Sequence, residues 1–418
     1  MTYIEFFDKT ASENIAACLT HAPERVIFIG DSTKSMKRHM ENYARVFKGR
    51  GLDVEILYRS VSKSNLENAV KLLQQIVDTY EDCIFDITGG EEILNVALGM
   101  VFAENPNKNI RITRYNLHNN TAYDCDSNGK TEYKDQPRLS VDEDVLIYGG
   151  EVAYGDVSDE KTYKWQITSE LEADIARMWE ICKHGTKAWN NQLTVFAAAE
   201  EVGRISDDGL VTVASIDDIN RQLGESGRGY MRDDYVVGKL RRYGLLMGFD
   251  DEDGVLSVAY KDPQVKRCLV KAGQALEMRV YLAAMKLRDE DGAPVYHDVV
   301  NGVFIDWDGK LLGEEGRIGV CDTENEVDVM MMHGMVPVFV SCKNGFVESD
   351  ELYKLNIVAD RFGGKYARKV LVASAISVEN DHRESLKQRM ADMNIRLIGK
   401  EDIMDDERLK NKLKTLWK

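Results

Sequence analysis

The chain has 418 residues, more than one ordinary domain of about 150 residues accommodates. Its 44% hydrophobic and 30% charged residues are a globular balance, and only 6 prolines argue against Pro-rich linkers and long disordered tails. A formal net charge of −17 argues against broad coating of nucleic acid, because phosphate contacts need Lys or Arg; residues 266–418 are nevertheless near neutral and leave room for a local basic groove.

In chain order, the first 146 residues alternate strand and helix in the manner of a parallel α/β sheet. Val26–Gly30 is a short apolar run of the kind covered on both faces. It ends in Asp31-Ser32-Thr33-Lys34, and a helix follows from about Met36 to Lys48. Val54–Tyr58 is the next strand, Leu66–Tyr80 a helix, and Cys83–Asp86 a strand. Ile87-Thr88-Gly89-Gly90-Glu91 then opens a helix through Leu94, Ala97 and Met100. Ile110–Tyr115 is a further strand, and Ala122–Lys134 reads as a polar hairpin or loop. The fold class is α/β, beginning with a Rossmann-like domain.

Residues 147–263 read differently. Thr168–His184 and Trp189–Val202 have helical spacing, the first with Leu171, Ile175, Met178 and Ile181 on one face. Ser215 caps a helix to Leu223, Arg232–Tyr243 is a second helix, and Leu245–Tyr260 is a hairpin about Asp251–Gly254. Helix, turn, helix, hairpin is the order of a winged helix. Lys239, Arg241 and Arg242 suit DNA, while Asp233 and Asp234 suit a connector that also helps dimerise. Residues 264–418 form a third unit. It has a helix at Ala272–Lys286, strands at Asp298–Trp307, Glu326–Met332 and Val336–Cys342, and a helix from Ser349 to about Phe362. A strand at Lys369–Ala373, a helix at Asp381–Met393 and a strand at Ile395–Ile398 complete it.

Two loops of the first unit converge. Ligands of open parallel sheets bind beyond the carboxyl ends of strands, where helix N-termini present free N–H groups. Asp31-Ser32-Thr33-Lys34 and Thr88-Gly89-Gly90 both sit there, offering hydroxyls, an ammonium and close backbone approach to phosphate. Gly89-Gly90 also reads as a plain strand-to-helix turn, and Ser32 as a plain helix cap. Neither GxGxxG nor GxxxxGK[ST] is present, so a conventional dinucleotide or ATP site has no support.

The third unit carries the sharper constellation. Asn325-Glu326-Val327-Asp328 lies on one strand and Ser341-Cys342-Lys343 ends the next. Residues two apart share a face, so Glu326 goes with Asp328 and Ser341 with Lys343, leaving Val338 and Val340 on the apolar face. A carboxylate on one strand of a hairpin and a lysine on the next is the pattern of the PD-(D/E)XK nuclease core. There the acid holds a divalent metal and the lysine activates water or steadies the phosphorane charge. Glu277 is placed to add a helical carboxylate, and oxygen ligands suit Mg²⁺ or Mn²⁺ rather than zinc. An Asp–Lys pair across a hairpin is equally an ordinary cross-strand ion pair.

Other chemistry is weakly signalled. The histidines form no HExxH, no GxSxG elbow exists, and His333 falls in the hairpin turn. Met330-Met331-Met332 reads as core, and Cys342 faces away from Lys343 on its strand. Seven cysteines (Cys18, Cys83, Cys125, Cys182, Cys268, Cys321, Cys342) form no CxxC, no apolar run approaches about 20 residues, and MTYIEFFDKT is no secretory signal. A cytoplasmic protein with reduced thiols and no membrane association is expected.

Asp86-Ile87-Thr88-Gly89-Gly90, with Ser32-Thr33-Lys34, resembles the CARF sensor domain of type III CRISPR accessory effectors. Asn325–Asp328 and Ser341–Gly345, followed by Leu352-Tyr353-Lys354-Leu355, resemble the restriction-endonuclease-like domain fused to CARF in one group of them. The resemblance covers essentially the whole chain as CARF (1–146), linker (147–263) and nuclease (264–418). It implies a homodimer that binds a cyclic oligoadenylate, usually cyclic tetra-adenylate, and then cleaves DNA, in several members also RNA, with a divalent metal. By resemblance, Asp31, Ser32, Thr33, Lys34, Thr88, Gly89, Gly90 and Glu91 would meet the activator. Glu277, Asp328, Lys343, Glu326 and Ser341 would form the active site, with Glu277 and Asp328 on the metal. Ser341 departs from the family pattern, which has an acid there; Glu326 or Glu277 must compensate, or the nuclease is inactivated. Two other readings stay open: a ligand-responsive transcription regulator using residues 215–260, and a restriction- or repair-type nuclease without small-molecule control.

Overall fold

The computed structural model describes residues 1–31, 33–62, 64–118, 121–125, 137–154, 161–224, 229–309, 324–376 and 380–418. The first sheet is built from β1 (Thr2–Phe6), α1 (Ala11–His21), β2 (Arg25–Gly30), α2 (Thr33–Gly49), β3 (Glu55–Ser60), α3 (Leu66–Thr79), β4 (Asp82–Asp86), α4 (Glu92–Glu104), β5 (Asn109–Asn116) and β6 (Thr121–Asp124). Its strand order is β3-β2-β1-β4-β5-β6, all parallel except β6. Strand alternation splits the apolar side chains between two cores. Ile4, Ile27 and Phe85 pack against α3 and α4, while Tyr3, Phe28 and Ile84 pack against α1 and α2.

Val26–Gly30 is therefore the second strand, not the first. Thr2–Phe6 is the strand that sequence reading passed over, because Glu5 interrupts its apolar run, and it is the central one. The strand order reverses across it, with β2 on one side and β4 on the other, so the loops leaving β1, β2 and β4 meet at one crevice. The stretch expected as a polar hairpin begins instead with β6, and residues 126–136 lie outside the described residues.

The chain continues through α5 (Val141–Ile147), β7 (Glu151–Val152), α6 (Ser169–His184), α7 (Thr186–Val202), β8 (Arg204–Ile205), β9 (Val211–Ser215), α8 (Ile216–Gly224), α9 (Asp234–Arg242), β10 (Leu246–Asp250), β11 (Val255–Tyr260) and α10 (Pro263–Val270). α5 starts with a reciprocal capping box between Ser140 and Glu143, and Asp233 caps α9 through Val236 N–H. β8–β11 form an antiparallel sheet of order β10-β11-β9-β8, so helix, turn, helix and hairpin are joined by a strand before α8.

α11 (Gln274–Met285), β12 (Asp298–Asp306), β13 (Glu324–His333), β14 (Val336–Lys343), α12 (Ser349–Gly363), β15 (Arg368–Ala373), α13 (Asn380–Asp392), β16 (Ile395–Ile398), α14 (Lys400–Met404) and α15 (Asp406–Leu413) complete the molecule. The third sheet has the order β16-β15-β14-β13-β12-β7. One face, with Val329, Met331, Val338 and Val340, packs on α6, α7 and α11. The other, with Met330, Met332 and Phe339, joins α12 to α1, α2 and α5 in one apolar cluster that reaches Tyr3 and Phe28. Burying this shared surface, at about 25 cal/mol per Å², ties the first and third sheets together.

Candidate functional site

β12, β13 and β14 form an antiparallel meander whose regular pleat breaks at one level. Gly302 on β12, opposite Asp328, has φ +60°, a left-handed conformation that favours glycine. The faces change there. Val299 packs in the core shared with α11, whereas Val303, Ile305 and Val327 pack in the core shared with α12. The ladder between β13 and β14 runs only from His333↔Val336 to Val329↔Val340, and beyond it the Asp328 carboxylate takes over. Its Oδ2 accepts from Cys342 N–H at 2.6 Å and from the Ser341 hydroxyl at 3.3 Å. The strands thus open into a notch with Asp328 at its apex.

On one side of the notch stand Glu326 and, from α11, Glu277. The carboxylate oxygens of Glu277, Glu326 and Asp328 all lie within 4.8 Å of one another, the one such His/Cys/Asp/Glu group among the described residues. Glu277 is 4% exposed and its Oε2 accepts no hydrogen bond. Burial first, and the Asp328 charge second, push its carboxyl well above the usual range, against the pull of Lys271. Asp328 is raised for the same leading reason, with the Cys342 N–H and Lys343 opposing. Three convergent acids, Glu277 buried and Asp328 half-buried, are a set of hard oxygen donors. They fit a divalent metal.

On the other side, Lys343 is ion-paired to Glu351 of α12 at 2.8 Å. Burial works against its charge, yet the Glu351 hydrogen bond and the Asp328 charge keep the ammonium above its ordinary pKa. The plain cross-strand pairing of Lys343 with Asp328 is corrected here: among the described residues the ion-pair partner is Glu351. A cavity of about 330 Å³ lies between these groups, lined by Glu326, Asp328, Ser341, Lys343, Glu351 and Lys354. Sequence reading missed Glu351, an acid in the first turn of the helix after the lysine strand. It also missed Asn301, whose signal was a polar residue inside the apolar strand Asp298–Trp307. Asn301 Oδ1 accepts from Gln274 Nε2 and Trp165 Nε1, each at 2.9 Å, and its Nδ2 donates to the Asp328 carbonyl at 2.8 Å. It fixes α11, hence Glu277, against the strand of Asp328.

At the crevice of the first sheet, Asp86 Oδ1 accepts from Thr88 N–H at 2.6 Å, and the Thr88 oxygen accepts from Tyr115 N–H at 2.7 Å. A Cβ on Gly89 would meet Asp8 Cβ at 2.8 Å, and one on Gly90, at φ +90°, would meet Phe6 Cβ at 2.3 Å. Both glycines are thus required by close approach of the loop to the end of β1, whatever binds above them. Asp31 and Glu91 flank the same crevice, at the end of β2 and the start of α4. Ser32 lies outside the described residues, as do the side chains of Thr33 and Lys34.

The weaker candidates resolve into structure. The His333 ring stacks on Trp417 at 3.8 Å and its Nδ1 bonds the Val295 carbonyl at 2.6 Å. Met330, Met331 and Met332 are fully buried, and burial drives the Cys342 thiol far above its usual pKa. Cys18, Cys83, Cys182, Cys268 and Cys342 are buried thiols outside any disulfide, and Cys321 lies outside the described residues. Among the described residues no helix is long and apolar enough to cross a membrane.

A Rossmann-type sheet, a winged-helix-like layer and a mixed sheet with clustered carboxylates follow one another along the chain. Two solved structures share the fold over essentially the whole chain. Can2 from Sulfobacillus thermosulfidooxidans, in complex with cyclic tetra-adenylate, aligns with a TM-score of 0.68 at 15% identity, covering 100% of this chain and 99% of that one. The protein VC1899 from Vibrio cholerae aligns with a TM-score of 0.71 at 16% identity, covering 100% and 97%. At such identities the fold is what is shared. The chain matches no protein-family model and no curated protein.

Proposed function

We propose that this protein is a metal-dependent endonuclease switched on by a cyclic oligoadenylate, acting on DNA, with RNA a second substrate to be tested, in type III CRISPR antiviral defence in the cytoplasm. The observation that carries the reading is the notch at Asp328, where Glu277, Glu326 and Asp328 cluster and where Glu326, Asp328 and Lys343 line one cavity. The whole-chain likeness to a structure holding cyclic tetra-adenylate supports the sensor half. In this reading residues 1–146 sense the activator, 147–263 connect, and 264–418 form a PD-(D/E)XK nuclease.

Glu277, Glu326 and Asp328 would hold Mg²⁺ or Mn²⁺, which supplies Lewis-acid polarisation of the phosphoryl oxygen and a more acidic water. Lys343 brings a positive charge to the oxygens that become more negative in the transition state. Glu351 keeps that ammonium aimed into the cavity. Ser341 gives its hydrogen bond to Asp328, so Glu326 takes the part of the missing acid.

The sensor would act as a homodimer. A ring with four phosphates matches a two-fold axis, each protomer offering Asp31, Ser32, Thr33, Lys34, Thr88, Gly89, Gly90 and Glu91. α4, which starts at that loop, exposes Val96 and Met100 one turn apart, an apolar seam that a second copy would cover. The activator biases the nuclease only through contacts that differ between its two states.

The test is cleavage of supercoiled plasmid, single-stranded DNA and RNA with Mn²⁺ or Mg²⁺, with and without cyclic tetra-adenylate. Cutting should need both metal and activator. Asp328→Ala and Lys343→Ala should lose it, by at least about 100-fold, while binding the activator normally. Wild-type rates in Lys343→Ala would sink the active-site assignment, and equal rates without activator would sink the switch.

A further inference from the structure

The carboxylate cluster already contains a cation. Lys271 follows α10, in the loop Lys271-Ala272-Gly273 that leads into α11. Its ammonium is hydrogen-bonded to Glu326 Oε1 and stands 3.6 Å from Glu277 Oε2, the buried oxygen that accepts no hydrogen bond. Both acids belong to the convergent triad. An anionic oxygen withdrawn from water needs a compensating charge, and Lys271 is the nearby group that supplies it.

We propose that Lys271 is a built-in competitor for the metal position: its ammonium fills the cation place beside Glu277 and Glu326, and a divalent ion binds only as that side chain swings out. The proposal rests on reading the triad as a metal centre. The ammonium lies against the same Glu326 and Glu277 oxygens that a divalent ion would take, and holding both cations at contact distance on those oxygens sets like charges against each other. An acid at position 341 would have relieved this conflict; Ser341 does not. Lys271 has somewhere to go, since its side chain is 35% exposed. Gly273, at φ +97°, makes the sharp bend between α10 and α11. α10 packs on α7, α11 and β11, and α11 packs on α6 as well as on β12 and β13, so the helices on either side of Lys271 are held and its side chain alone has to move.

The experiment is Mn²⁺ binding to the full-length protein by calorimetry and by the Mn²⁺ paramagnetic resonance signal, in wild type, Lys271→Met, Lys271→Arg and Asp328→Ala. Lys271→Met should bind at least about 10-fold more tightly than wild type, the effect of removing one like charge at contact range. Lys271→Arg should bind as wild type does, and Asp328→Ala should lose binding. Equal affinity of wild type and Lys271→Met overturns the competition while leaving the metal centre standing. No Mn²⁺ binding by any of them overturns the metal reading itself, and the competition with it. A second measurement needs no variant: acetylation of Lys271 in the wild-type protein, followed by mass spectrometry. Saturating Mn²⁺ should raise labelling of Lys271 as the ammonium leaves the acids, and unchanged labelling overturns the proposal.

Discussion

The Tyr366 hydroxyl donates to Glu13 Oε1 at 2.6 Å, joining α1 of the first sheet to the turn that follows α12 of the third. Both groups are buried, at 7% and 3% exposure, and Lys365 Nζ meets the other Glu13 oxygen at 2.8 Å. α12 carries Glu351 in its first turn and ends one residue before Gly364, whose Cα side faces Thr10 and the Tyr148 hydroxyl. One helix thus spans from the partner of Lys343 to the loop that leaves β1.

Removing the phenol hydroxyl breaks this joint while keeping its packing. Tyr366→Phe should lower unfolding stability by about 2 kcal/mol, as expected for a buried hydrogen bond to a charged group, read from urea denaturation. In the proposed switch it should also reduce the ratio of activated to unactivated cleavage. A loss of stability with an unchanged ratio would make the contact purely structural.

The glycine loop separates packing from helix propensity. Gly90→Ala places a Cβ at 2.3 Å from Phe6 Cβ at a left-handed position, so β1 must shift, at a cost of about 1–3 kcal/mol. Gly99→Ala on α4 meets nothing within 4 Å and should gain about 0.5–1 kcal/mol. Thermal melts of the two variants should move in opposite directions.

Asp86 makes stability depend on pH. It is fully buried, and burial raises its pKa from 3.8 to about 7, the Thr88 hydrogen bonds opposing. Between those values the folded state holds a proton that the unfolded chain has released, so this contribution declines as pH rises from about 4 to about 7, by on the order of 4 kcal/mol. Below that range the group is neutral in both states. Asp86→Asn keeps the acceptor for Thr88 N–H and has no charge to bury. Its melting temperature should exceed that of wild type at pH 8 and approach it near pH 4; an equal difference at both would refute the assignment.

Asn301 is a positioning residue. Asn301→Ala frees Gln274 and the Asp328 carbonyl together, so Glu277 loses its register with Asp328. Mn²⁺ affinity should drop about 10- to 100-fold, the usual effect of losing a group that orients metal ligands. Asn301→Asp, which keeps the acceptor for Gln274 and Trp165, should retain more affinity than Asn301→Ala does.

The sequence by itself determined most of the elements named from it and their order, and the residues of the candidate site that lie in short motifs. Strands such as Ile395–Ile398, the helix–turn–helix–hairpin succession, and Glu326, Asp328, Ser341 and Lys343 were legible because period and turn chemistry depend on near neighbours. Glu277 was legible from its helix preceding that hairpin. What the tertiary structure decided depends on partners far along the chain. β1 is central because β2 and β4 pair on either side of it, and a strand with a buried Glu5 has no apolar run to announce this. The notch exists because Gly302 reverses the pleat opposite Asp328, leaving Glu277, Glu326 and Lys271 on one side and Lys343 with Glu351 on the other. Glu13 and Tyr366 are 353 residues apart in sequence, and no local pattern specifies such a contact. It follows from the one apolar cluster that the first and third sheets share, since burying that surface is what draws the two buried polar groups together.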